Sequence, residues 1–150
     1  MREEYNILKN KFGLPDFEEL DKFFEIRGID KEDDILREIS KKILNSVDNY
    51  LDILEDMVQP DSRYYTLKEA NFLGKSERSI INAIYSKLMY FNRAGIILNL
   101  DYSSDRCAKL INDFYKEWSL MSKELIPVIN LLKESWSKKT EARQDRGYFG

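Results

Sequence analysis

Carboxylates are the side chains of this sequence whose spacing could support chemistry. Asp48, Asp52, Glu55 and Asp56 recur at intervals of about four and seven residues, which places them along one flank of a predicted helix. Facing a similar flank, such carboxylates could hold Mg²⁺ and support a hydrolase. The alternative is an acidic face in contact with solvent, which is the commoner role of such a stripe.

The absence of histidine and the single cysteine exclude several enzyme classes. The chain has no histidine among 150 residues and a single cysteine, Cys107. Histidine-dependent triads, histidine phosphotransfer, di-iron bundles and structural zinc sites are therefore excluded, and no glycine begins a phosphate-binding loop. We predict a protein that is not an enzyme and needs no cofactor or metal. Because Cys107 lies on an apolar seam, we expect a buried, unreactive thiol.

Basic and aromatic side chains alternate in a stretch between two predicted helices. In this pattern the cations can bind a phosphate backbone while the rings stack on bases. It supports an RNA- or ribosome-associated factor as an alternative function. The other interpretation is a connector whose aromatic residues close the end of the bundle. The residues concerned are Arg63, Tyr64, Tyr65, Lys68, Lys75 and Arg78.

Aromatic residues also occur near the C-terminus. Tyr148 and Phe149 lie in a polar segment, residues 139–150, which we predict to be flexible. Together with Trp136 they could form a short linear motif that becomes ordered on a protein partner. The alternative is an end that folds back on the bundle through Tyr148 and Phe149, or one that is frayed.

A predicted short helix near the N-terminus is unusually aromatic. Phe17, Phe23 and Phe24 lie in the segment 16–26, on a face that also carries Leu20. The simplest interpretation is a lid over the bundle. The alternatives are a docking face for a protein partner or one half of a homodimer contact.

A long apolar seam determines the predicted fold. Its residues alternate at spacings of four and three, an average of about 3.5, typical of a helix packed lengthwise on other helices. They are Cys107, Ile111, Phe114, Trp118, Met121, Leu125, Val128 and Leu132. We predict a single all-α domain, a bundle of three long helices. These helices lie at about 31–58, 77–99 and 104–138, with short helices at about 2–11 and 16–26 packed on them.

Local signals predict where two of these helices begin. Asp30 is a good N-cap for the first long helix, and the acidic residues after it favour the positive end of the helix dipole. Thr66 and Glu69 match a capping box, which predicts a short helix at about 67–73.

Two residues that disfavour helices lie inside the predicted long helices. Gly95 should weaken its helix by about 1 kcal/mol unless close packing against a neighbour compensates. Pro127 predicts a kink without a break, because the apolar seam continues through it unshifted.

The charge is unevenly distributed along the chain, and the hydropathy pattern indicates the compartment. The net charge is −3, with 9 basic and 16 acidic side chains in residues 1–60 and 15 and 11 thereafter. This asymmetry could attract oppositely charged partners to the two parts, or hold the parts together. No signal-peptide pattern is visible, and no apolar run approaches the roughly 20 residues of a spanning helix. We predict a cytoplasmic protein without a membrane partner.

The sequence resembles short, uncharacterised all-helical proteins encoded in archaeal genomes. The similar features are the stretch Leu14–Leu20, the helix stop Gln59-Pro60-Asp61, and Trp118 and Trp136 in the last helix. The resemblance implies a cytosolic protein and assigns no activity and no functional residue. From the excluded chemistry and the candidate binding surfaces we predict a non-catalytic interaction module, an adaptor or an assembly subunit that binds a protein partner through the C-terminal tail or the aromatic N-terminal helix.

Overall fold

The computed structural model describes residues 1–30, 32–60 and 63–137, except for the side chain of Tyr65. Within these ranges the chain is all-α, which confirms the predicted fold class. The helices are α1 (Arg2–Phe12), α2 (Phe17–Phe24), α3 (Ile35–Val58), α4 (Tyr64–Ala70), α5 (Lys75–Leu100) and α6 (Ser104–Glu134), with a short 3-10 helix at Ile26–Gly28. The three long helices are α3, α5 and α6, as the apolar periodicity predicts.

The described chain divides into two compact units. The first contains Met1–Leu51 and Lys87–Ser119, and the second contains Asp52–Ser86 and the described residues from Leu120 onward. Each long helix contributes one segment to each unit, so both cores draw on the same three apolar stripes.

The core of the first unit is built around Phe114. Its side chain is fully buried, and its ring lies 5.0 Å from that of Phe91, 5.8 Å from that of Phe24 and 5.6 Å from that of Trp118. Phe91 meets it edge-on at 87°, whereas Trp118 stacks on it at 16°. Rings from α2, α5 and α6 therefore fix the packing of three helices at one point.

All eight residues of the predicted seam are buried. In the second unit this seam continues through Met121, Leu125, Val128 and Leu132. The other buried residues of this unit on the long helices include Leu54 and Met57 of α3 and Ile81 and Ile84 of α5. The helix runs without a break through Pro127, as expected from the unshifted spacing. The seam is therefore the main source of apolar burial along the whole of α6.

Cys107 is the first residue of this seam. Its thiol is buried and lies with Sγ 3.1 Å from the carbonyl oxygen of Leu36, to which it can donate a hydrogen bond. Burial raises the pKa of the thiol above its usual value. The prediction of a buried thiol is therefore confirmed. A neutral, enclosed thiol is a poor nucleophile.

The N-terminus of α3 differs from the prediction. The helix begins at Ile35, and the Arg37 amide donates a hydrogen bond to Asp34 Oδ1 at 3.2 Å. The predicted cap at Asp30 is wrong, because the backbone carbonyl of Asp30 instead accepts the Asp33 amide at 3.3 Å in a preceding turn. A run of several acids offers more than one possible cap, and only the turn geometry selects among them.

The short helix α4 also begins earlier than predicted. It starts at Tyr64 with Arg63 at the N-cap position and without a side-chain capping hydrogen bond. The predicted capping box is therefore wrong, since Thr66 lies inside the helix. Its hydroxyl is fully buried, and no hydrogen-bond partner for Thr66 Oγ1 is found in the described part of the chain.

Replacing Thr66 with valine should stabilise the protein. Valine has nearly the same shape, and it removes a buried hydroxyl whose unmade hydrogen bond costs about 1–3 kcal/mol. We expect the free energy of unfolding to rise by about 1 kcal/mol in urea denaturation. Thr66→Ser is the matched control, because it keeps the hydroxyl and should destabilise through its lost methyl group. A Thr66→Val protein less stable than the wild type would show that the hydroxyl is satisfied.

Candidate protein-interaction site

The acidic flank of α3 forms no metal site in the described residues. Asp48, Asp52 and Glu55 are exposed, and Asp48 Oδ1 accepts a hydrogen bond from Asn92 Nδ2 at 2.9 Å. Among the residues that the structure describes, no three histidine, cysteine or acidic side chains converge as ligands of a metal ion. The arrangement of these carboxylates is that of a solvated helix face.

The aromatic helix α2 buries two of its three phenylalanines. Phe17 and Phe24 are buried, where Phe17 lies 5.5 Å from the ring of Tyr5 and Phe24 contacts the central Phe114. Phe23 is half-buried, with its ring 6.3 Å from that of Tyr115. The interpretation of Phe17 and Phe24 as a partner surface is therefore corrected, because their apolar area is already used by the first unit. For Phe23 the partner role stays a prediction.

Most basic side chains of the predicted nucleic-acid surface are buried or engaged within the protein. Arg63 pairs with Asp56 at 3.3 Å, and Arg78 donates to the carbonyl oxygen of Ala70 at 3.2 Å. Lys68 is only 4% exposed, so it is not available to a phosphate in this structure. Lys75 is exposed at the first residue of α5, and the side chain of Tyr65 lies outside the described residues.

The second unit brings together residues that the sequence placed in two separate hypotheses. Trp136 follows the end of α6, and its Nε1 donates a hydrogen bond to Glu69 Oε2 at 3.2 Å. The ammonium of Lys68 lies 4.3 Å from the centre of the Trp136 ring and 5.8 Å from that of Tyr64. The two rings meet edge-on, with their centroids 6.3 Å apart. We call Tyr64, Leu67 and Trp136 the α4 aromatic face.

The local sequence explains how these side chains are positioned. Tyr64 and Lys68 are four residues apart on α4 and therefore lie on the same side of the helix. Trp136 is held after the last turn of α6, where its amide donates to the carbonyl of Lys133 at 3.1 Å. The preceding Ser135 is buried, and its hydroxyl donates to the carbonyl of Leu132 at 2.6 Å. Side chain and backbone contacts thus both restrain the indole.

The α4 aromatic face leaves much of its area exposed to solvent. Tyr64 is 73% exposed, Leu67 44% and Trp136 43%. Tryptophan and tyrosine are the residue types that most often dominate binding energy at protein interfaces. The α4 aromatic face therefore combines exposed aromatic rings with a cation 4.3 Å from the centre of the indole.

No local pattern in the sequence indicates the central contact of this region. The pairing of Trp136 with Lys68 and Glu69 joins residues more than 60 positions apart, so local spacing gave no signal for it. Tyr148 and Phe149, the other proposed members of a C-terminal motif, lie outside the described residues, as does the segment 139–150. Their predicted role stays a prediction.

Sequence analysis also missed a second exposed apolar surface, on α5. Tyr90, Ile97 and Leu100 are exposed although they are apolar. With Ser86 and Arg93 they recur at spacings of four and three, which is the same periodicity that identified the buried seam of α6. The spacing can be identified from the sequence, but periodicity alone does not distinguish a buried stripe from an exposed one.

The fold and this surface define the class of the protein as an all-helical bundle with exposed aromatic side chains. No protein-family model, curated protein or solved structure matches the chain. The resemblance to archaeal helical proteins therefore stays a prediction. In the described ranges, no helix combines the length and apolar character needed to span a bilayer.

Proposed function

We propose that this protein is a non-catalytic interaction module that binds a protein partner through the α4 aromatic face. The proposed role is that of an adaptor or an assembly subunit. The proposed compartment is the cytoplasm, since a chain with one cysteine forms no internal disulfide.

The observation that carries the proposal is the restraint on Trp136. The indole is fixed by the hydrogen bond to Glu69 and by the ammonium of Lys68, yet it remains 43% exposed. A large side chain that is already ordered loses little conformational entropy when a partner covers it. Tyr64 extends the same surface, so that a partner would bury two neighbouring aromatic rings.

An RNA partner is the second candidate function for this region. The exposed rings could stack on bases, but Lys68 is buried and the guanidinium groups of Arg63 and Arg78 are already engaged within the protein. Nucleic-acid affinity depends on neutralising phosphates and therefore falls steeply with salt. A protein contact dominated by apolar area is the better fit.

The Tyr64→Ala variant should lose most of the partner. A hot-spot residue contributes at least about 2 kcal/mol, so we expect the recovery of the partner to fall by roughly 30-fold when binding is not saturated. The measurement is quantitative affinity capture from native cell extract with the full-length protein as bait. Tyr64 is largely exposed, so the variant should retain the helical circular dichroism and the unfolding midpoint of the wild type.

Ile126→Ala is the matched control in the same unit, because Ile126 is an exposed apolar residue on α6. It should capture the partner as the wild type does. Equal recovery with Tyr64→Ala and the wild type would contradict the proposal. A captured partner that is lost on ribonuclease treatment would instead favour the RNA-associated function.

A further inference from the structure

Helix α5 is apolar on more than one side. Ile84, Leu88, Phe91 and Leu98 are buried, whereas Tyr90 is 66% exposed and Ile97 is 59% exposed. A helix that is apolar on several sides is normally covered on all of them. In the described part of the chain, the face that carries Tyr90 and Ile97 is left open to solvent.

This open face borders a groove between α5 and α6 in the first unit. A cavity of about 180 Å³ is lined by Tyr90, Ile97 and Leu110, among others, and a neighbouring cavity of about 280 Å³ shares Tyr90 and Asp113 with it. The shared residues join the two cavities into one groove. From Lys87 to Ile97 the groove follows about 15 Å of helix, which is roughly three turns.

The charges around the groove are predominantly basic. Lys109 pairs with Asp113, Lys87 with Glu117 at 3.0 Å, and Arg106 with Asp101. Lys116 in the lining of the groove, and Arg93 on the exposed stripe of α5 between Tyr90 and Ile97, form no ion pair with an acidic side chain in the described ranges. Arg93 donates to the amide oxygen of Asn92. The excess positive charge would be neutralised by acidic groups on whatever covers the groove.

We propose that the groove between α5 and α6 binds an amphipathic helix of a protein partner, with apolar residues facing Tyr90 and Ile97 and acidic residues flanking them. The length and apolar lining suit the helix-in-groove mode of recognition. Acidic side chains on the partner would pair with Arg93 and Lys116. This surface shares no residue with the α4 aromatic face, and a protein that carries both surfaces would act as an adaptor.

A second copy of this chain fits the same face less well. Two α5 helices that pack antiparallel about the centre of the stripe bring Arg93 of each copy close to Arg93 of the other. Like charges placed opposite each other disfavour such a pairing. A flat, anionic membrane surface is also a poorer fit, because the apolar residues line a groove and not a convex face.

The test uses the full-length protein and a displayed library of amphipathic peptides of about 18 residues, five helical turns. The library fixes leucine at positions i, i+3, i+4 and i+7 and varies the flanking positions among Glu, Gln and Lys. We expect enriched peptides to carry Glu at the flanks. In fluorescence anisotropy, the Ile97→Ser and Tyr90→Ala variants should each weaken binding of the best peptide by at least about 10-fold.

Control variants show whether a loss of peptide binding is specific to the groove. Leu120→Ser alters a residue on α6 that is 59% exposed, as is Ile97, and should leave peptide binding unchanged. Tyr64→Ala should also have no effect, so the failure of one surface is distinguishable from the failure of the other. Arg93→Glu should reverse the preference, so that the Lys-flanked form of the same peptide binds more tightly than the Glu-flanked form.

Several results would overturn the inference. These are equal binding of Lys- and Glu-flanked peptides, no enrichment of any peptide, or no effect of Ile97→Ser and Tyr90→Ala. A wild-type dimer in sedimentation that Ile97→Ser makes monomeric would assign the face to a second copy instead. Co-sedimentation with phosphatidylglycerol vesicles that depends on Ile97 would assign it to a membrane surface.

Discussion

The Phe114→Ala variant is expected to lose about 3–5 kcal/mol of unfolding free energy, the largest effect among the substitutions proposed for this protein. Phe114 is fully buried, and its ring contacts those of Phe24, Phe91 and Trp118. Alanine removes the buried ring and leaves a cavity among rings that can collapse only in part. Urea denaturation followed by circular dichroism measures the change, provided that the slope of the transition is unchanged.

The Phe23→Ala variant is the control for this prediction. Phe23 is the same residue type but half-buried, with tilted contacts to Phe24 and Tyr115. Its substitution should cost clearly less, about 1–2 kcal/mol. If Phe114→Ala and Phe23→Ala destabilise the protein equally, Phe114 does not lie at the centre of the core.

The Gly95→Ala variant is expected to destabilise the protein although alanine is the better helix former. A Cβ atom at position 95 would lie 2.5 Å from Leu44 Cδ2, 2.7 Å from Leu44 Cδ1 and 3.1 Å from Leu44 Cγ. The whole isobutyl group of Leu44 would have to move, and overpacking of this kind costs about 1–3 kcal/mol. Set against the gain of about 1 kcal/mol in helix propensity, this cost leaves an expected net loss of up to about 2 kcal/mol.

A double-mutant cycle with Leu44→Ala isolates this contact. In the Leu44→Ala background the obstructing side chain is absent, so Gly95→Ala should stabilise by about 1 kcal/mol. The sign of the Gly95→Ala effect therefore reverses between the two backgrounds, with a coupling of about 1–3 kcal/mol. Additive effects in urea denaturation would show that α3 and α5 do not approach closely at this point.

The class of fold was predictable because the residues that are buried when helices pack recur at regular intervals in the sequence. Every residue of the seam from Cys107 to Leu132 is buried, since alternating spacings of four and three keep one side of a helix facing its neighbours. Gly95 was also interpretable, because a glycine inside a helix implies a close neighbour, and Leu44 is that neighbour. These features depend on one helix at a time.

The helix ends and the candidate site were less predictable for physical reasons. Four acids precede α3, and the cap at Asp34 depends on the path of the preceding turn. Thr66 matched a capping box by residue type, yet burial of its side chain places it inside α4. Likewise, the contact of Lys68 with Trp136 follows from the meeting of α4 with the end of α6, which no local spacing encodes.

The most direct test of the proposed function is photo-crosslinking from position 64 in the native cell. Tyr64 is replaced by p-benzoylphenylalanine, and the same amino acid is placed at position 126 as the control. The α4 aromatic face predicts light-dependent adducts of discrete mass from position 64, absent from position 126, unchanged by ribonuclease and removed by protease. Adducts that ribonuclease removes, identical adducts from both positions, or no adduct from position 64 would contradict a protein partner at this face.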